Sequence, residues 1–180
     1  MDLLQETKFI MNKYNIKANK NYGQNFLIDE NIVSSIIESA NISKDDVVIH
    51  GVCMIPDKPV AILQMLHGMN EHKERYIVFM EEMAKKGYIT MMQDNRGHGE
   101  SIKEPGDLGY CYPAKEKGMV EDTYKATKYI KKKYPDLPII LYGHSMGSLI
   151  VRAYLKKHDD AIDGLIVSGC PSYNSATPFG

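Results

Sequence analysis

The sequence predicts an α/β chain: a mostly parallel sheet with helices on both faces, preceded by a short arm of loop and helix. Three observations carry this. From about residue 47 onward, short apolar runs alternate with amphipathic stretches of helical period. The apolar runs are near-continuous, as strands buried on both faces require. The stretches between them are long enough to be helical crossovers, which join parallel strands with right-handed connections. The first 48 residues are unlike the rest, being polar and rich in Asn and Lys.

In the arm, Asp29 is a good N-cap, and Ile32, Val33, Ile36, Ile37 and Ala40 repeat at helical spacing before Asn41. The preceding NKYNIKANKNYGQNF has no period and many turn formers, so it reads as loop. VVIHGVCMI, 47–55, alternates weakly and stops at Pro56. VAILQML, 60–66, is a buried strand, and a helix over 74–86 places Tyr76, Phe79, Met80, Met83 and Ala84 on one side before Gly87 ends it. YITMMQD, 88–94, is the next strand. A helix over 116–134 stops at Pro135, PIILYG is a strand, 146–157 a helix, and GLIVSG, 164–169, a last strand.

The chain has 180 residues, 43% of them hydrophobic, enough for one domain with a core and an appendage. A formal net charge of −1 argues against a partner held mainly by charge, such as nucleic acid. Cys53, Cys111 and Cys170 show neither metal-ligand spacing nor a disulfide pattern, which makes a reducing cytoplasm the expected setting and no metal the expectation. MDLLQETKFI is not a signal peptide, and no run approaches the ~20 apolar residues of a membrane helix.

Chemistry concentrates in IILYGHSMGSLIVRAYL, 139–155, where Ser145 stands between Gly143 and Gly147 at a strand-to-helix junction. A turn too tight for side chains at the flanking positions holds such a serine with its oxygen exposed at the sheet edge, backed by a helix N-terminus that favours negative charge. An N-cap serine after a glycine turn would share the bare pattern. Two further stretches weigh against that. LHGMNEH, 66–72, also follows a buried strand, and its His-Gly turn can aim the backbone N–H of Met69 at an oxyanion, with that of Met146 as second donor. QDNRGHGES, 93–101, follows the next strand with the glycines of a tight loop.

By HGMNEH, DNRGHGES and GHSMGS, residues from about 49 to 180 resemble the α/β-hydrolase family, and within it the monoacylglycerol lipase and lysophospholipase-like serine hydrolases. The resemblance implies hydrolysis of a small acyl ester or lipid through an acyl-serine, with Ser145 as nucleophile, Met69 and Met146 as oxyanion donors, and no cofactor. It makes His67 and Gly68 part of the oxyanion turn and Arg96, Gly97, His98 and Gly99 a structural loop near the site. The family orders its triad as serine, acid, histidine. After Ser145 the sequence has only His158, with Asp159, Asp160 and Asp163 behind it. A helix rising 1.5 Å per residue would carry His158 roughly 20 Å from Ser145, whereas a general base must lie within about 3 Å or one water. His158 therefore reads as a solvated residue. His144 is expected to point away from Ser145, His67 to pack and hydrogen-bond, His72 and His98 to sit on scaffold loops, and Asp94 to anchor the loop after it. The expectation is a partial α/β-hydrolase fold lacking its C-terminal strands and lid, a crippled catalyst whose last strand exposes an edge and apolar surface.

ANKNYGQNFLIDENIVSSIIESANI is similar instead to the start of the ribosomal RNA adenine dimethyltransferase family, over about residues 7–48. That resemblance places Asn25 and Leu27 at positions that touch S-adenosylmethionine. The glycine-rich turn the cofactor needs is replaced by VVIHGVCMIPD, so methyl transfer is not expected. Two domains follow, 1–48 and 49–180, with a gene fusion or a sequence-assembly join near 48–51. Two further functional readings remain: an arm that binds rRNA or S-adenosylmethionine, and a pseudoenzyme whose oxyanion pocket holds an acyl ligand.

Overall fold

The computed structural model describes residues 47–113 and 115–170. The expected helix after Asp29 and the positions Asn25 and Leu27 lie outside them. The described residues belong to one compact unit, Val47–Gly180. Its elements are β1 (Gly51–Met54), β2 (Ala61–Leu66), a 3-10 turn (Lys73–Tyr76), α1 (Ile77–Lys85), β3 (Tyr88–Gln93), α2 (Lys115–Lys133), β4 (Ile139–His144), α3 (Met146–His158) and β5 (Gly164–Ser168).

The strands form one sheet in the order β1-β3-β2-β4-β5. β2 pairs in parallel with β3 and β4, and β5 in parallel with β4. β1 runs antiparallel to β3, with Gly51 opposite Gln93 and Met54 opposite Thr90. Only residues 55–60 join β1 to β2. That is too short for the crossover a parallel partner needs, so β1 must enter reversed.

Every residue of β2 is buried, which is what its unbroken apolar run encoded. Right-handed crossovers put α1 on one face and α2 with α3 on the other. On the α2/α3 face, Leu66, Met119, Val120, Leu141, Ile150, Val151 and Tyr154 form one core cluster. Ile62, Ile89, Ile130 and Ile139 form a second beside it. Burying one such side chain fully is worth about 1.5–3 kcal/mol. Gln64 interrupts β2 in the middle of this face, but its amide donates to the Thr123 carbonyl (3.0 Å) and accepts from the Thr127 hydroxyl (2.8 Å). The polar residue is thereby satisfied where apolar neighbours surround it.

The helix predicted over 74–86 begins as a 3-10 turn and becomes α-helical at Ile77. α1 packs on β3 and β1 and does not extend over β4. Accordingly β4 alternates, with Ile139, Leu141 and Gly143 buried towards α2 and α3, and Ile140, Tyr142 and His144 half-buried on the other side. β5 is an edge strand among the described residues, and its Ile166 and Val167 are 47% and 43% exposed. This is the apolar surface and open edge expected of the last strand.

Candidate active site

Ser145 sits between β4 and α3 with φ 49° and ψ −115°. A non-glycine residue there is strained, at a cost of order 1–3 kcal/mol, and persists only where its surroundings over-determine it. Here they do. The Ser145 N–H donates to the Ser168 carbonyl at the end of β5 (2.9 Å), and the Ser145 carbonyl accepts from the Ser148 N–H (2.9 Å) and hydroxyl (2.5 Å). The flanking glycines permit the approach. A β-carbon on Gly143 would lie 2.5 Å from the Gly147 carbonyl oxygen, and one on Gly147 would collide with the carbonyl oxygen of Leu66. The Ser145 side chain does not cap α3, which removes the N-cap reading. Among the described residues, nothing hydrogen-bonds its hydroxyl.

The turn after β2 adjoins this serine. A β-carbon on Gly68 would meet the Ser145 Cβ at 3.1 Å and the Glu71 Oε2 at 2.8 Å. Glu71 shapes the turn: its carboxylate accepts from the Gly68 N–H (2.8 Å) and the Tyr76 hydroxyl (2.9 Å). Burial pushes the Glu71 carboxyl up, but these donors outweigh it and the net displacement is below the ordinary range. Met69 follows with its side chain 64% exposed, and Asn70 closes the turn at φ 58°. His67 is fully buried. Its Nε2 accepts from the Asn95 N–H (3.0 Å), so the proton lies on Nδ1, which donates to the Gly68 carbonyl (2.8 Å). Burial lowers its pKa, keeping the ring neutral.

The loop after β3 is tied down throughout. Asp94, fully buried, accepts from the Lys73 N–H (2.7 Å), the Lys73 ammonium (2.8 Å) and the Glu100 N–H (2.9 Å). The Ser101 hydroxyl donates to the Asp94 carbonyl (2.9 Å). The Lys73 ammonium also bonds Glu100 and, at 2.7 Å, Glu74. Burial alone would lower the Lys73 pKa, yet the three carboxylates outweigh it and raise it. Glu74, Asp94 and Glu100 have the spacing of a cation site, but the lysine already occupies the centre. Arg96 reaches α2 with a two-pronged pair to Asp122 (2.7 and 2.8 Å), beside Gly118, where a β-carbon would strike the guanidinium. The His98 Nδ1–H donates to the Arg96 carbonyl (3.2 Å), and the ring tilts against that of His67 at 5.3 Å.

All six histidines of the chain fall among the described residues. His67 and His98 are held as above, His72 pairs with Glu74 (2.7 Å), and His50 lies 4.0 Å from Glu100. His144 packs its ring against the Gly68 and Gly169 turns, within 3.4 Å of a β-carbon on Gly68, so it flanks the serine's turn without bonding its hydroxyl. His158 ends α3, as placed from the sequence, but it is not solvated: its ring stacks on Tyr124 at 3.7 Å, and its side chain is 16% exposed. A long-range aromatic partner on α2 accounts for that departure. The anchoring roles of Lys73, Glu71 and Tyr76 were also not read from sequence. The one available signal was a charged 3-10 turn directly following a glycine turn.

A parallel sheet whose β4–α3 junction is a strained serine turn, with a His-Gly turn beside it, defines the α/β-hydrolase fold. The chain belongs to the family described as serine aminopeptidase, S33, whose profile matches residues 57–178. It is 31% identical to phospholipase YtpA of Bacillus subtilis over 114 residues, 62% of this chain and 41% of that protein. Among solved structures it resembles a thermostable carboxyl esterase from Bacillus coagulans in complex with glycerol. The TM-score is 0.63 at 33% identity, covering 66% of this chain and 39% of that one. Residues 15–51 match a second profile, ribosomal RNA adenine dimethylase. The chain is also 65% identical to a ribosomal RNA small subunit methyltransferase A of Clostridium botulinum over 100 residues, 54% of this chain and 34% of that protein. The chain thus spans well under half the length of these relatives. The two profile matches do not overlap, and residues 52–56 lie between them. No helix among the described residues is long and apolar enough to cross a membrane.

Proposed function

We propose that residues 49–180 carry the nucleophile and oxyanion half of a serine ester hydrolase for small acyl-ester or lipid substrates, and that the chain by itself does not turn over. Ser145 is the nucleophile. The backbone N–H groups of Met69 and Met146 receive the oxyanion. Attack forms a bond from Oγ to the acyl carbon, breaks the ester C–O bond, and requires the Oγ proton to move to a base. The observation that carries the reading is a strained serine whose hydroxyl has no hydrogen-bond partner among the described residues, which include all six histidines. His67 is neutral, but its lone pair already accepts the Asn95 N–H. Acyl groups rather than peptides are favoured by the likeness to a phospholipase and a carboxyl esterase.

The test is release of p-nitrophenol from p-nitrophenyl butyrate by the chain and by Ser145→Ala. Equal, background rates are expected. Faster release by the serine form would mean that a base is present after all.

A second reading is favoured by the match of residues 15–51 to the dimethylase family. In it the arm binds rRNA or S-adenosylmethionine, with Asn25 and Leu27 at the methyl donor. Calorimetric titration with S-adenosylmethionine decides it. Heat that disappears in Asn25→Ala supports this reading, and no heat removes it.

A further inference from the structure

Two glutamines face α2 from the sheet, and they fare differently. Gln64 on β2 has both ends of its amide bonded to α2. Gln93, the last residue of β3, is only 6% exposed, yet its Nε2 is buried with no hydrogen-bond partner. Nor does any other described residue bond its side chain. A buried donor left unpaired forfeits its hydration for nothing, and such a group in a folded chain calls for an explanation.

The explanation lies in a cleft of about 290 Å³ that Gln93 lines. Gly51 stands opposite Gln93 in the β1–β3 register and offers no side chain to cover it. A β-carbon there would already lie 3.8 Å from the Gln93 Cβ, so a larger residue would fill the space beside the amide. Val47, Ile49 and Met91 make an apolar wall. α2 contributes Asp122 and, one turn on, Lys125. Asp122 is 7% exposed, and Arg96 takes both its oxygens (2.7 and 2.8 Å). Its charge is thereby offset and does not bar an anion. Lys125 is exposed and has no ion pair among the described residues. The lining includes neither Ser145 nor Met69 nor Met146. The volume lies just under the ordinary range for small-molecule sites, about 300–1,000 Å³, so the occupant is small.

The walls select its chemistry. An unpaired amide N–H calls for an acceptor, and an unpaired ammonium calls for negative charge. A carboxylate supplies both, one oxygen for each, and a short hydrocarbon tail covers the apolar wall. We infer that this cleft binds a short-chain monocarboxylate, with Gln93 and Lys125 holding the carboxylate. The terminal torsion of glutamine is broad, so the amide can turn its donor to the ligand at little cost. The inference goes beyond ester hydrolysis and does not depend on it, since this site needs no nucleophile.

The experiment titrates the whole 180-residue chain, labelled with nitrogen-15 in its glutamine side chains, with sodium pentanoate. Pentan-1-amine, with the same tail and the opposite charge, is the control. Proton–nitrogen correlation spectra follow the Gln93 amide, assigned by its loss in Gln93→Leu, with the fully bonded Gln64 as internal reference. Pentanoate should shift the Gln93 signals saturably and leave those of Gln64 in place, and the amine should move neither. Lys125→Met should weaken the apparent affinity about two- to fivefold, as an exposed charge pair would. Pentanoate should raise the Tm of the parent chain but not that of Gln93→Leu. Without ligand, Gln93→Leu should melt no lower than the parent, because it removes an unpaired buried group.

Gln93 signals that pentanoate does not move overturn the inference. So does an equal response to the amine, or a shift of Gln64 as large as that of Gln93, which would mean general association of the tail. A shift that follows protein concentration instead of pentanoate would make the occupant a second copy. A leucine variant that melts well below the parent, or fails to fold, would mean that the fold itself uses the amide, and the site is then removed. None of these outcomes bears on p-nitrophenyl butyrate turnover, so this inference and the proposed function fail separately.

Discussion

Two turns leave parallel strands at the same edge of the sheet, and they are built in opposite ways. The turn at Ser145 puts one hydroxyl in a strained backbone and gives it no partner among the described residues. The loop from Asp94 to Ser101 pairs almost every polar group it contains, and binds Lys73, His50 and α2 as it does so. One arrangement leaves a hydroxyl without a partner and the other holds a frame. The difference is what the proposed lack of turnover rests on. His67 and His98 belong to the frame, where hydrogen bonds and burial fix them, and no histidine bonds the Ser145 hydroxyl among the described residues.

The largest expected effect comes from opening the frame. Asp94→Ala leaves the Lys73 ammonium buried beside fewer carboxylates and removes three hydrogen bonds. A loss of about 3–5 kcal/mol is expected, since one partner of a buried pair is removed. Urea unfolding measures it, and a loss below 1 kcal/mol would mean that the frame does not depend on this carboxylate.

Gly147→Ala comes next. Its β-carbon would press on the Leu66 and His67 carbonyls, forcing β2 and α3 apart at a cost of about 1–3 kcal/mol. Gly106→Ala, which meets nothing within 4 Å, is the matched control and should change little.

A third prediction uses pH. Because burial lowers the His67 pKa, the unfolded chain takes up a proton there before the folded chain does. The contribution of His67 to stability is therefore whole above its unfolded pKa of about 6.5 and is lost as pH falls below it, by at most about 1.4 kcal/mol per pH unit. Glu71 and Glu74, whose pKa values are lowered, with Glu74 at about 2, lose their contributions in a more acidic window, below the ordinary carboxylate value of 4.5. Stability curves followed from about pH 7.5 down through 6.5 and 5.5 to about 3.5 separate the two, and His67→Gln should flatten the upper part only.

The smallest effect has the opposite sign. Ser145→Gly relieves the positive φ and should stabilise the fold by about 1 kcal/mol, whereas Ser145→Ala, which keeps the strain, should not. Equal stabilities for the two would remove the comparison between a strained turn and a satisfied frame.

Much of this was legible in the sequence, for identifiable reasons. VAILQML encoded a strand buried on both faces, and β2 is one. GHSMG between a strand and a helix encoded the tight turn, because glycines at those two places are what the close approach of β4, α3 and β2 demands. Asp94 as loop anchor followed from its place at a strand end. What escaped depends on contacts between distant segments. Lys73 looks like a surface residue in KERY until Asp94 and Glu100 surround it. His158 looked solvated because Tyr124 lies 34 positions earlier in the chain. The reversed entry of β1 is a matter of connection length, which its weak alternation did not reveal.

The central claim is that a correctly presented hydroxyl lacks a proton acceptor, and adding one from solution tests it most directly. p-Nitrophenyl butyrate hydrolysis is followed against imidazole concentration for the chain and for Ser145→Ala. The account predicts no difference without imidazole, and then a serine-dependent rate that rises with imidazole above the background both proteins share. A serine-dependent rate already present without imidazole, or none at any concentration, would contradict it.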